Sequence, residues 1–150
     1  MNKKKKEPRV KSVMTPFPHS VWIKAPILVA RAQMVEHNIR HLPVTESHKL
    51  CGIVTDRDLK LLLGPEVGAP NSGGLSSQLT VEDAYVEDCY VVDLETPLAA
   101  VLEEMASRHI GAALVTARGK LAGIFTATDA CRVFAAHLQE QYAPLPDDAA

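Results

Sequence analysis

The stretch Gly52–Leu59 reads GIVTDRDL, and 71 residues later Gly123–Ala130 reads GIFTATDA. Sliding the sequence by that offset aligns residues 10–59 with 81–130 without a gap. Identical pairs include Val21/Val92, Pro26/Pro97, Met34/Met105, Ile39/Ile110, Val44/Val115, Gly52/Gly123, Thr55/Thr126 and Asp58/Asp129. Agreement over that length reads as duplication of one supersecondary unit. One copy is too short to bury both faces of its own sheet. Two copies can pack sheet to sheet, and pseudo-twofold symmetry is the natural arrangement.

Each unit carries the same order of elements. SVWI and VVDL are short strand candidates, followed by the helical stretches APILVARAQMVEHN and TPLAAVLEEMASRH. Pro26 and Pro97 suit a first helical position, and Thr96 suits an N-cap. Leu98, Val101, Leu102 and Met105 recur at i, i+3, i+4 and i+7, one buried helical face. HLPVT and ALVTA are strand-like, ESHK and ARGK supply turns, and LCGIV and LAGIF close each hairpin. A further helix is expected from Asp58 and from Asp129. The expected fold class is thus mixed α/β (α+β), with two β-α-β-β-α repeats packed sheet to sheet. The expected boundaries are a basic, disordered tail at 1–9, repeats at 10–63 and 81–140, a Gly/Pro/Ser-rich linker at 64–80, and a C-terminal tail at 141–150.

Charge is uneven. The net −2 of the 150 residues combines +5 over residues 1–11, +2 over 12–62 and −9 over 63–150. The lysine run is read as a solvated tail. With aromatics at 5% and no basic stripe interleaved with them, nucleic-acid binding is not expected. No apolar run reaches a membrane span and no apolar segment follows the basic start, so neither membrane nor secretory signal is expected and a cytoplasmic location is. Cys51, Cys89 and Cys131 form no CxxC pair and are read as isolated buried thiols. His37 and His41 stand four apart, but Asn38 is expected to end the helix between them, so no metal site is expected. Gly73-Gly74 lacks the Lys-Ser/Thr of a P-loop. Trp22 is expected in the core or on a dimer surface. No catalytic constellation emerges, and the protein is not expected to be an enzyme.

The doubled strand–turn–strand–Gly-h-h-Thr-x-x-Asp pattern, with VMTP, IRHLPVTESHKLCGIVTDRDL and IGAALVTARGKLAGIFTATDA, resembles the CBS-domain family, two repeats forming a Bateman module of the stand-alone type. The resemblance covers about residues 10–138. It implies binding of an adenosyl compound (AMP, ADP, ATP or S-adenosylmethionine) between the repeats, with no cofactor required. It also implies a homodimer paired through helical faces, to which Ala-rich surfaces such as DACRVFAAHL are suited, and an unidentified protein effector.

The residues allow two readings of Thr-x-x-Asp. The Asp can accept hydrogen bonds from the vicinal hydroxyls of a ribose, while Thr and the helix N-terminus meet a phosphate. The same spacing is also a capping box that needs no ligand. By resemblance, one cleft combines Thr126 and Asp129 with Thr15, Pro18, His19, Ile39, Arg40 and His41. The other combines Thr55, Arg57 and Asp58 with Val86, Cys89, Tyr90, Ile110, Gly111 and Ala112. Repeat 2 has Gly111-Ala112 where repeat 1 has Arg40-His41, and it places Glu87 and Asp88 near its entry. The Asp129 cleft is accordingly expected to be the better phosphate site. The alternative function is a protein-interaction scaffold with vestigial clefts.

Overall fold

A computed structural model of the chain describes residues 4–64 and 78–142. Most of the linker and the last eight residues lie outside the described residues. Repeat 1 forms β2 (Val21–Trp22), α1 (Ile27–Glu36), β3 (His41–Glu46), β4 (Lys49–Thr55) and α2 (Asp56–Leu63). Repeat 2 forms β5 (Val91–Asp93), α3 (Leu98–Arg108), β6 (Ala112–Ala117), β7 (Lys120–Thr126) and α4 (Ala127–Gln141). Each repeat makes a parallel pair bridged by its first helix and then an antiparallel hairpin. The hairpin turns carry positive φ at Ser47 and His48 and at Arg118 and Gly119. Two successive left-handed residues match the twist of the strands that they join.

The segment before each repeat crosses to the other one. Residues 8–17 form an arm on the body of repeat 2 (lobe 2; the body of repeat 1 is lobe 1). Val10 begins a 3-10 turn, Val10–Ser12, and is fully buried in the lobe 2 core with Val101, Val115 and Phe125. The arm ends in β1 (Thr15–Pro16), an edge strand antiparallel to β7, so the sheet order is β1-β7-β6-β5. Residues 79–86 form the equivalent arm on lobe 1. Val81, also fully buried, packs with Ile27, Leu42 and Val54, and Val86 bridges Ile53 of β4. Pro8 and Arg9, placed in the tail by composition, are thus docked: the Leu98 N–H donates to the Pro8 carbonyl, and Arg9 bridges Pro97.

The arms also cap the helices. Pro26 and Pro97 are the N-cap residues rather than the first helical ones, and neither helix has a side-chain cap. The Ile27 N–H donates to the Leu79 carbonyl and the Leu98 N–H to the Pro8 carbonyl, both at 2.9 Å. An orphan donor that Thr96 was expected to satisfy is taken by the crossing backbone instead.

The lobes meet along an apolar seam of Ile53, Ala112, Leu114 and Ile124, flanked by Leu50, Cys89 and Leu121. Cys51 and Cys89 are half-buried and burial pushes both thiols up. Cys131, expected to be buried, is exposed, on a helix whose residues Phe134 and Leu138 are exposed too. Trp22 is exposed too, at 57%. No helix among the described residues is long and apolar enough to cross a membrane.

Candidate functional site

The signature glycines sit where the arms pass. A Cβ on Gly52 would lie 2.2 Å from the Val86 carbonyl oxygen and 2.9 Å from Tyr85 Cδ2. A Cβ on Gly123 would lie 2.3 Å from Met14 Sδ and 3.0 Å from the Thr15 carbonyl oxygen. Glycine is required for close backbone approach, in strands whose φ is ordinary. The two apolar residues that follow enter the cores, and Thr then ends the strand.

Thr55 is extended and caps α2; Thr126 does the same for α4. The Asp58 N–H donates to Thr55 Oγ1 at 3.2 Å, and Asp58 Oδ2 accepts from the Thr55 N–H at 2.9 Å and hydroxyl at 2.8 Å. The second box repeats this at 3.3, 2.9 and 3.0 Å. The helices therefore start at Asp56 and Ala127, two residues earlier than expected. A third box, Thr80–Asp83, caps the arm's 3-10 turn. Capping thus accounts for one oxygen of each carboxylate.

The second oxygens differ. Asp129 Oδ1 accepts from Arg132 Nη1 at 3.0 Å, and Asp129 is the one buried charged residue among those described. Leu61 stands where Arg132 does in the repeat register, and Asp58 Oδ1 has no partner among the described residues. The Asp58 carboxylate is half-buried and lines a shallow 270 Å³ depression with Leu61, Leu62, Asp83 and Ala84.

The arms carry several of the expected ligand residues across to the other lobe. Thr15 pairs with Ile124, two residues before Thr126, and Val86 pairs with Ile53, two residues before Thr55. Pro18 and His19 run on past Ala122, and the His19 ring stacks on His37 at 3.7 Å. Asn38, with φ of +51°, ends α1 between His37 and His41. Cys89 lies on the seam, and Tyr90, held by its carbonyl to the Leu114 N–H, faces the Arg108 guanidinium at 5.3 Å.

Arg40 and His41 fall into a different group from the one expected. The Arg40 carbonyl accepts from the Asp56 N–H and His41 pairs with Thr55, so both attach to the Asp58 end of lobe 1. Gly111 and Ala112, which follow Ile110, hold the same place beside Ala127 and Thr126. The physical reason is the hairpin. Only the arms cross; the segment before β3 is tied to β4 of its own repeat. His41 reaches the other lobe by its ring, since a Cβ on Gly111 would lie 3.2 Å from His41 Nε2. A side chain at 111 would therefore press on that ring unless the ring shifted by a few tenths of an ångström. Burial, aided by Arg40, pushes the His41 pKa down against the opposing pull of Asp58. The cationic groups Arg40 and Arg57, both exposed, therefore lie at the Asp58 end, and the Asp129 cleft lacks the Arg40 and His41 expected there.

The CBS-domain model matches residues 10–64 and 81–136. The chain belongs to the CBS-domain family. It is a CBS pair of mixed α/β architecture, with both copies described above. It is 32% identical over 123 residues to the uncharacterized protein YlbB of Bacillus subtilis, covering 81% of this chain and 78% of that one. Among solved structures, CBSX2 in complex with AMP is similar at a TM-score of 0.72 and 28% identity, covering 89% of this chain and 98% of that one. The CBS domain pair of protein MJ0100, in complex with 5′-methylthioadenosine and S-adenosyl-L-methionine, matches at 0.72 and 25%, covering 85% and 99%.

Proposed function

We propose that this CBS pair is a non-catalytic regulatory module that binds an adenine nucleotide or related adenosyl compound between its lobes. The observation that carries the reading is the Asp58 carboxylate. One oxygen is held by the Thr55 cap while the other has no partner among the described residues, beside the α2 N-terminus, Arg40, Arg57 and the crossing arm at Val86. That arrangement offers an acceptor for ribose hydroxyls and donors for a phosphate. Binding of AMP by CBSX2, and of adenosyl compounds by the MJ0100 pair, supports it. The Asp58 cleft takes the ligand first, with Thr55, Arg40 and Arg57 as its polar groups. The Asp129 cleft, with Thr126, requires Arg132 to leave.

The module works as a cytoplasmic homodimer. Leu28, Val29, Val35, Leu61, Phe134 and Leu138 are exposed on α1, α2 and α4, an apolar surface suited to a second copy. A protein effector receives the signal. The scaffold reading is favoured by one observation: Asp129 has both oxygens satisfied and is buried, as a vestigial site would be.

Thermal melts with AMP, ADP, ATP and S-adenosylmethionine test the reading. A ligand at 100 times its Kd stabilises by about 2.7 kcal/mol, which is roughly 5–11 °C for a domain of this size. Asp58→Ala removes that shift. No shift with any of the four at millimolar concentration leaves the scaffold reading.

A further inference from the structure

The two arms are nearly interchangeable in their backbone contacts. Val10 and Val81 are the same residue, each fully buried in the opposite lobe. The Val10 and Lys11 N–H groups donate to the Thr96 and Leu94 carbonyls, and the Val81 and Glu82 N–H groups to the Ala25 and Ile23 carbonyls, in the same register. These contacts give arm 1 little reason to prefer lobe 2 over its own lobe, or over lobe 1 of a second copy.

The side chains at the arm tips differ in one respect. Lys11 on arm 1 pairs with Glu95 of lobe 2, and Glu82 on arm 2 pairs with Lys24 of lobe 1. The 71-residue register makes Lys11 equivalent to Glu82 and Lys24 equivalent to Glu95. The two ion pairs are thus one pair of positions with its polarity reversed. Docking an arm on the lobe of its own repeat would set Lys11 against Lys24 and Glu82 against Glu95. Both attractions become repulsions. The Lys24 ammonium is held in its charged form by Glu82 first, with Glu46 and Asp83 adding to it. All four side chains are about half exposed. Each pair alone is therefore weak, and the discrimination comes from reversing both at once.

We infer that Lys11, Lys24, Glu82 and Glu95 form a polarity code that admits cross-repeat docking of the arms and rejects same-repeat docking, whether by the chain's own arm or by that of a second copy. The code positions the clefts, because arm 1 carries Thr15 beside the Thr126 strand and arm 2 carries Val86 beside the Thr55 strand. It is independent of which ligand binds.

The test exchanges the arms' charges in the full chain. Lys11→Glu with Glu82→Lys sets like charges at both sites, and the melting temperature falls by several degrees. Adding Lys24→Glu and Glu95→Lys restores opposite charges with polarity inverted, and the wild-type melting temperature returns. The deficit of the double variant shrinks in 1 M NaCl, where the screening length is about 3 Å. Carbodiimide crosslinking with peptide mapping reads the pairing directly. The wild type joins 11 to 95 and 24 to 82, whereas the double variant shifts to 11 with 24 and 82 with 95. A double variant that melts with the wild type overturns the inference, as does a quadruple variant that stays as unstable as the double.

Discussion

Replacing Gly52 by Ala tests the claim that the signature glycine exists for the crossing arm. The added Cβ meets the Val86 carbonyl oxygen at 2.2 Å and the Val86 carbonyl carbon at 3.0 Å, both backbone atoms. Val86 cannot move alone, because it exchanges two hydrogen bonds with Ile53, at 2.8 and 3.0 Å. Overpacking of this kind costs about 1–3 kcal/mol, and losing the two backbone bonds adds about 1–3 kcal/mol. A helical or left-handed position would complicate the comparison, but Gly52 lies inside β4 with ordinary φ. The expected loss is roughly 2–6 kcal/mol, or a melting temperature lower by about 4–24 °C. The equivalent Gly123→Ala meets a flexible partner first, Met14 Sδ at 2.3 Å, with backbone only at 3.0 Å. It should cost about half as much by the same overpacking scale. Shortening Met14 to Ala in that background should recover part of the loss. Shortening Tyr85 to Ala in the Gly52→Ala background should recover little, since backbone is the nearer obstacle. Urea melts of the five proteins make the comparison. Equal costs at the two glycines, or a neutral Gly52→Ala, would refute the close-approach argument.

Val81→Ala, in the fully buried tip of arm 2, should destabilise by about 2 kcal/mol from two lost methyl groups and the cavity left behind. Val10→Ala should match it, by urea denaturation. Thr126→Ala removes the cap of α4 and should cost about 1 kcal/mol. Calorimetry of Arg132→Leu, which installs the residue found at the equivalent Leu61, should show a tighter second site for AMP; an unchanged isotherm means that Arg132 does not obstruct Asp129. Because burial holds the His41 pKa below the ordinary 6.5, the unfolded chain takes up that proton first as pH falls. Stability should therefore drop below about pH 6.5, and His41→Asn should flatten that part of the profile in urea melts between pH 7.5 and 5.5.

Much of the fold was legible because the repeat is a local property written twice. The helix–hairpin–helix order, the Gly-h-h-Thr-x-x-Asp placement at each strand end, and the buried face of Leu98, Val101 and Met105 all follow from periodicity and turn chemistry. The capping box was likewise readable, since it needs only residues three apart. The ligand sets were harder. Thr15 and Val86 could be placed beside the opposite repeat by resemblance, but Arg40 and His41 could not be grouped from sequence. Their place depends on which backbone hydrogen bonds stay within a hairpin and which cross.

Two decisions belonged to the tertiary structure alone. One is the exchange of arms, which gives Gly52 and Gly123 their purpose and makes Pro8 and Leu79 the caps of helices far along the chain. The other is the placing of Arg40 and His41 at the Asp58 end, fixed by which backbone hydrogen bonds stay within a hairpin; the inequality of Asp58 and Asp129, by contrast, is local, since Arg132 stands three residues past Asp129 and Leu61 holds the equivalent place. A sequence specifies what each segment can bury and bond locally. Which of two equivalent lobes receives an arm is a matter of contacts between residues as distant as Lys11 and Glu95, and those contacts exist only once the lobes have met.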